Sequence, residues 1–81
     1  MAETFHLVIA SVGETRFDGR AISVTLPGSS GELTILAHHE PLVTTLKKGT
    51  ITVREESKDS KEFRIENGVL EVSGNRAVVL L

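Results

Sequence analysis

His38-His39-Glu40 is the one run in which metal-ligating side chains crowd together. Adjacent residues on a strand point to opposite faces, and on a helix they diverge by about 100°. Neither geometry supplies the i, i+4 pair or the His-x-His pair that a metal commonly uses. The run reads as a polar loop whose exit angle is set by Pro41. A small metal-dependent enzyme using His38, His39 and Glu40 is the competing reading. His6 is a lone histidine in a first strand, between Phe5 and Leu7. The seven serines and three histidines could supply a nucleophile and base, but no Gly-x-Ser-x-Gly elbow occurs. Gly28-Ser29-Ser30-Gly31 is glycine-rich but lacks the Gly-Lys-Ser/Thr and the following helix of a phosphate loop, and it reads as a loop tip. Acidic residues are spread over polar strand faces and turns, and no acid/base pair stands out. The expectation is an interaction module with no catalytic residue, no cofactor and no metal.

Composition narrows the class further. The 81 residues predict one domain, 1–81, and the absence of cysteine rules out a disulfide framework. The net charge is -2 and no basic cluster exceeds Lys47-Lys48, so a nucleic-acid grip is not expected. The longest apolar runs fall far short of the roughly 20 residues of a membrane-spanning helix. The start, Met1-Ala2-Glu3-Thr4, has neither the basic residues nor the apolar stretch of a signal peptide. These features predict a soluble intracellular domain. Val, Ile and Thr make 22 of the 81 residues, a composition suited to a pleated sheet.

Period-2 alternation runs through most of the chain and defines the elements. Ile22, Val24 and Leu26 oppose Ala21, Ser23 and Thr25; Ile51 and Val53 oppose Thr50, Thr52 and Arg54. Phe63 and Ile65 oppose Glu62, Arg64 and Glu66; Leu70 and Val72 oppose Val69, Glu71 and Ser73. Such segments are half-buried antiparallel strands. Phe5–Val12 and Ala77–Leu81 are apolar on both faces and need covering by the fold or by a partner. Val78 is expected on the inward face of the closing strand. Asn67-Gly68 predicts a type I′ hairpin and Gly74-Asn75 the next one. Phe17–Arg20 reads as a turn, Pro27–Gly31 as a longer loop, and the all-polar Glu55–Glu62 as an exposed hairpin tip. Glu40–Lys48 is the best helix candidate, but Pro41 and Val43-Thr44-Thr45 favour a turn into a strand. Short strands with turn signals every 8–12 residues predict a β-sandwich or barrel.

The stretch from Gly31 to Gly49, with Gly31-Glu32-Leu33, Ile35, His39, Pro41-Leu42, Thr44, Leu46 and Gly49, resembles the G-E-L-x-I-x-x-x-H-x-P-L-x-T-x-L-x-x-G pattern of the epsilon subunit of rotary F-type ATP synthases. Phe5-His6-Leu7 with Ser11, Phe17-Asp18-Gly19, Gly68-Val69-Leu70-Glu71-Val72 and the terminal Ala77–Leu81 resemble further parts of that family in the same order. The resemblance implies an all-β fold, an antiparallel β-sandwich of about ten short strands. It implies a non-catalytic central-stalk subunit that docks on the gamma subunit and on the c subunits of the rotor ring, coupling proton- or sodium-driven rotation to ATP synthesis. Its place would be peripheral, at the cytoplasmic face of the bacterial inner membrane. By the same resemblance, Glu32 would meet the rotor ring, with Ser29 and Ser30 beside it. His39 would lie near both the ring and the gamma contact, and Ser11 and Thr44 would face gamma.

Two departures shape these expectations. Ala37-His38 stands where the family often has Pro-Gly or Pro-Asn, which allows the loop a different backbone path. The family commonly continues into a C-terminal helical hairpin linked to inhibition of ATP hydrolysis and, in some members, to ATP binding. The 81 residues match the sandwich half alone, so those activities are not expected of them. The alternative is a free-standing β-sandwich interaction module unrelated to the synthase.

Overall fold

The computed structural model describes residues 3–56 and 58–81. Met1, Ala2 and Ser57, the last within the Glu55–Glu62 tip, lie outside the described residues. The described residues form nine strands and no helix: β1 (Phe5–Ser11), β2 (Glu14–Ala21), β3 (Ser23–Gly28), β4 (Gly31–Leu36), β5 (Leu42–Leu46), β6 (Gly49–Arg54), β7 (Lys61–Ile65), β8 (Gly68–Ser73) and β9 (Arg76–Leu80). The alternation in the sequence becomes the two faces of each strand. Phe5, Leu7 and Ile9 of β1 are buried while His6, Val8 and Ala10 are only half-buried.

The strands hydrogen-bond in the order β2-β1-β9-β8-β5-β3-β6-β7, with β4 added on β3. The step from β5 to β3 rests on one residue pair, Gly28 with Leu46. The sheet therefore consists of two halves, β2-β1-β9-β8-β5 and β4-β3-β6-β7. They curl over a shared core of Phe5, Leu7, Ile9, Val24, Leu26, Ile35, Ile51, Val53, Leu70 and Val79, all essentially inaccessible to water. The two ends of the order close on each other. Phe17 of β2 meets Phe63 of β7 edge to face, with ring centroids 6.2 Å apart, and Lys61 Nζ lies 5.3 Å from the Phe17 ring. All pairings are antiparallel except β1 with β9, which run parallel in the middle of their half.

Several local expectations change. Asn67-Gly68 is not a hairpin: β7 pairs with β6, β8 pairs with β5 and β9, and neither residue has a positive φ. The segment crosses between halves, and its glycine supplies space. A Cβ on Gly68 would stand 3.0 Å from the Leu80 carbonyl oxygen. The left-handed two-residue turn is Gly74-Asn75, both at φ 57°. Phe17–Arg20 lies within β2 rather than in a turn, because Val12-Gly13 reverses the chain first and frees the following residues to pair with β1. The Pro27–Gly31 loop shrinks to Ser29-Ser30, with Gly28 paired to Gly31. Val78 faces outward and is half-buried; Ala77 and Val79 face the core. The Glu55–Glu62 tip joins β6 to β7, as expected, though Glu62 already pairs with Thr52. Leu42–Leu46 is a strand.

Candidate interaction surface

The outward residues of the β2-β1-β9-β8-β5 half follow from its register. One row runs Val43, Glu71, Val78, Val8 and the next runs Thr45, Val69, Leu80, Ala10. Val69 is 40% exposed, Leu80 57% and Val43 68%, while Val8, Ala10 and Val78 are half-buried. The neighbours Val8, Ala10, Val69, Val78 and Leu80 form a contiguous apolar patch on an open sheet face, the kind of surface that marks a docking site. The outer face of the other half is different. It carries Thr25 and Thr34, whose hydroxyls lie 3.0 Å apart, with Thr52, Glu62, Glu32 and Arg54. Leu36 is its one exposed large apolar residue among those described.

A polar tip stands at one end of the molecule. Ser29-Ser30 joins β3 to β4, and Glu32, one residue beyond Gly31, is exposed opposite Pro27. The tip is tied to β5. The Ser29 amide donates to the Thr45 carbonyl at 3.0 Å, the Lys47 amide donates to the Pro27 carbonyl at 2.9 Å, and the Ser29 and Thr45 hydroxyls are 2.7 Å apart.

His39 lies elsewhere. The six residues of β4 span about 20 Å and carry the chain from the tip to the opposite end. There the His38 amide donates to Asn75 Oδ1 at 2.7 Å, and Asn75 Nδ2 donates to the Thr4 carbonyl at 3.1 Å. The structure thus brings Ser29, Ser30 and Glu32 together and leaves His39 at the other end. Ser11, half-buried at the end of β1, follows Phe5, Leu7 and Ile9 on the inward side of the strand, opposite to Ala10, and lies near Ile65 and Leu81. Thr44 pairs with Leu70 and shares its inward side, half-buried on β5.

The two loop histidines diverge. His38 Nε2 lies 2.7 Å from Glu3 Oε1, whereas His39 Nδ1 donates to the Glu40 carbonyl at 2.7 Å. No group of three metal-ligating side chains gathers among the described residues. His6 Nε2 lies 2.6 Å from Asp18 Oδ1, an exposed pair that contributes little to stability. Sequence reasoning missed Thr45 and Asn75, whose roles depend on partners distant in sequence. It also missed Val69 and Leu80 as surface anchors, although the double-sided apolar character of Ala77–Leu81 was the signal.

Residues 4–81 match the family model described as ATP synthase, delta/epsilon chain, β-sandwich domain. The chain is similar to the ATP synthase epsilon chain of Delftia acidovorans, at 42% identity over 78 residues, covering 95% of this chain and 56% of that protein. It is similar also to the epsilon chain of Sulfurimonas denitrificans, at 42% over 65 residues, covering 80% of this chain and 50% of that one. The chain therefore spans about half the length of these curated relatives. Two solved structures share its fold. One is a chain of the Euglena gracilis mitochondrial ATP synthase OSCP/F1/c-ring, with TM-score 0.89, 22% identity, and coverage of 95% of this chain and 49% of that one. The other is a chain of the Tetrahymena thermophila mitochondrial ATP synthase central stalk and c-ring, with TM-score 0.81, 14% identity, and coverage of 98% and 63%.

Proposed function

Because the chain belongs to the ATP synthase delta/epsilon family through its β-sandwich domain, we propose that it is a non-catalytic element of the central stalk of an F-type ATP synthase, seated between the gamma subunit and the rotor ring. The observation that carries this reading is the inequality of its surfaces: one apolar sheet face, one polar sheet face, and a polar tip beyond both. The apolar face of β1, β9 and β8 is the gamma-docking surface. Burying the exposed parts of Val69 and Leu80 there contributes about 1–2 kcal/mol each. Ser11, at the end of β1 and on the other side of that strand from Ala10, lies at the margin of this contact. We assign His39 to gamma rather than to the ring, because it stands at the end opposite the tip, and place Thr44, half-buried on the inward side of β5, at the margin of that contact. The tip, with Ser30 and Glu32 outermost, meets the polar loops of the c subunits.

In this role the domain does mechanical work without chemistry of its own. Ion flow, of protons or sodium, turns the ring; the tip receives the load; the close-packed sandwich passes it to gamma with little deformation. As part of a bacterial synthase the chain is peripheral, at the cytoplasmic side of the inner membrane. The match over residues 4–81 speaks against a module unrelated to the synthase. Purified chain mixed with a gamma subunit is expected to elute as a stoichiometric complex. Failure to form one, under conditions where a full-length epsilon relative binds, would overturn the reading.

A further inference from the structure

We propose that the crossing from Gly28-Ser29 to Thr45–Lys47 is a clasp that fixes the polar tip to the apolar-faced half, and that Thr45 is its positioning residue. The assignment of the tip to the rotor ring rests on the reading above; the clasp itself rests on geometry.

Among the described residues, strand pairing passes between the two halves only at Gly28 and Leu46. Two backbone hydrogen bonds, from the Ser29 amide to Thr45 and from the Lys47 amide to Pro27, flank that pair. The hydroxyls of Ser29 and Thr45 close it at 2.7 Å. Gly28 keeps the hairpin tight next to the crossing: a Cβ there would stand 2.5 Å from Leu33 Cδ2 and 2.6 Å from the Gly31 carbonyl oxygen. β4 pairs with β3 alone, so beyond the clasp the tip is the end of a two-stranded hairpin. A load on Ser30 or Glu32 reaches the β5 side through these bonds. The Ser29 hydroxyl meets Thr45 on the exposed side of the crossing, so it fastens the tip from the outer surface.

Amide hydrogen exchange at Ser29 and Lys47, the two bridging donors, reads the clasp directly. Thr45→Val and Ser29→Ala each delete the hydroxyl pair and keep the backbone bonds. Each is expected to accelerate exchange at these amides roughly two- to tenfold. The double variant should be no faster than the faster single variant, since both remove one bond, and Thr45→Ser should restore the slow rate. Thr45→Val should also weaken retention on purified detergent-solubilised rotor ring. Unchanged exchange in both single variants, multiplying effects in the double, or equal acceleration across β1 and β9 would overturn the clasp. Glu32→Gln separates the two readings. It should lower ring retention without altering exchange. Indifference of the ring to Glu32→Gln removes the ring assignment, while the exchange data still decide the clasp. Retention lowered by Glu32→Gln but not by Thr45→Val overturns the positioning role.

Discussion

His38 holds a left-handed backbone, φ 64°, and its amide and imidazole both have partners, Asn75 and Glu3. This conformation is costly for most side chains by about 1–2 kcal/mol and is tolerated best by Gly, Asn, Asp and His. The Ala37-His38 departure therefore leaves intact a backbone conformation that Gly or Asn would also adopt. His38→Asn is expected to keep thermal stability within about 0.5 kcal/mol, whereas His38→Val, a β-branched residue at positive φ, should lower it by about 1–2 kcal/mol. Denaturant titration of the two variants checks this. The motif around His38 was legible in the sequence, but its anchor was not. Asn75 lies 37 residues away and is reached only because the Gly74-Asn75 turn folds back beside the loop, a tertiary event that no local pattern records.

Strand alternation was legible because burial on one face imposes it, and β3, β6, β7 and β8 show it directly. Turn chemistry was ambiguous. Asn67-Gly68 carries a hairpin dipeptide, yet β8, the next strand after β7, pairs in the other half, and the glycine is used for its lack of a Cβ. Where a strand is apolar on both faces, alternation cannot say which residues point in. That is why Val78, expected inward, faces outward in the fold, with Val79 at the core position. The consequence is sharp. Val79→Asp, at a site with no exposure, would bury an unpaired carboxylate and is expected to cost more than about 3 kcal/mol, enough to unfold much of a domain this small. Val78→Asp on the outward face should leave the domain folded. Circular dichroism melts of the pair would show the difference; comparable loss in both would contradict the strand's orientation.

The molecule as a whole has two sheet faces of opposite character, and the sequence displays this only as an excess of valine and leucine at nominally outward positions. Which positions line up depends on register across four strands, β5, β8, β9 and β1, two of them at opposite ends of the chain. The resemblance in the sequence pointed to the synthase stalk; the register shows where an apolar partner could sit. Leu80 and Leu36 offer a matched comparison, at 57% and 55% exposure on the two opposite faces. Because both are exposed, Leu80→Glu and Leu36→Glu should each leave the melting temperature within about 3 °C of the parent. The direct measurement is the affinity of these two variants for an isolated gamma subunit. Docking through the β1-β9-β8 face requires Leu80→Glu to weaken binding at least about tenfold and Leu36→Glu to bind as the parent does; equal affinities for all three, or loss confined to Leu36→Glu, would contradict it.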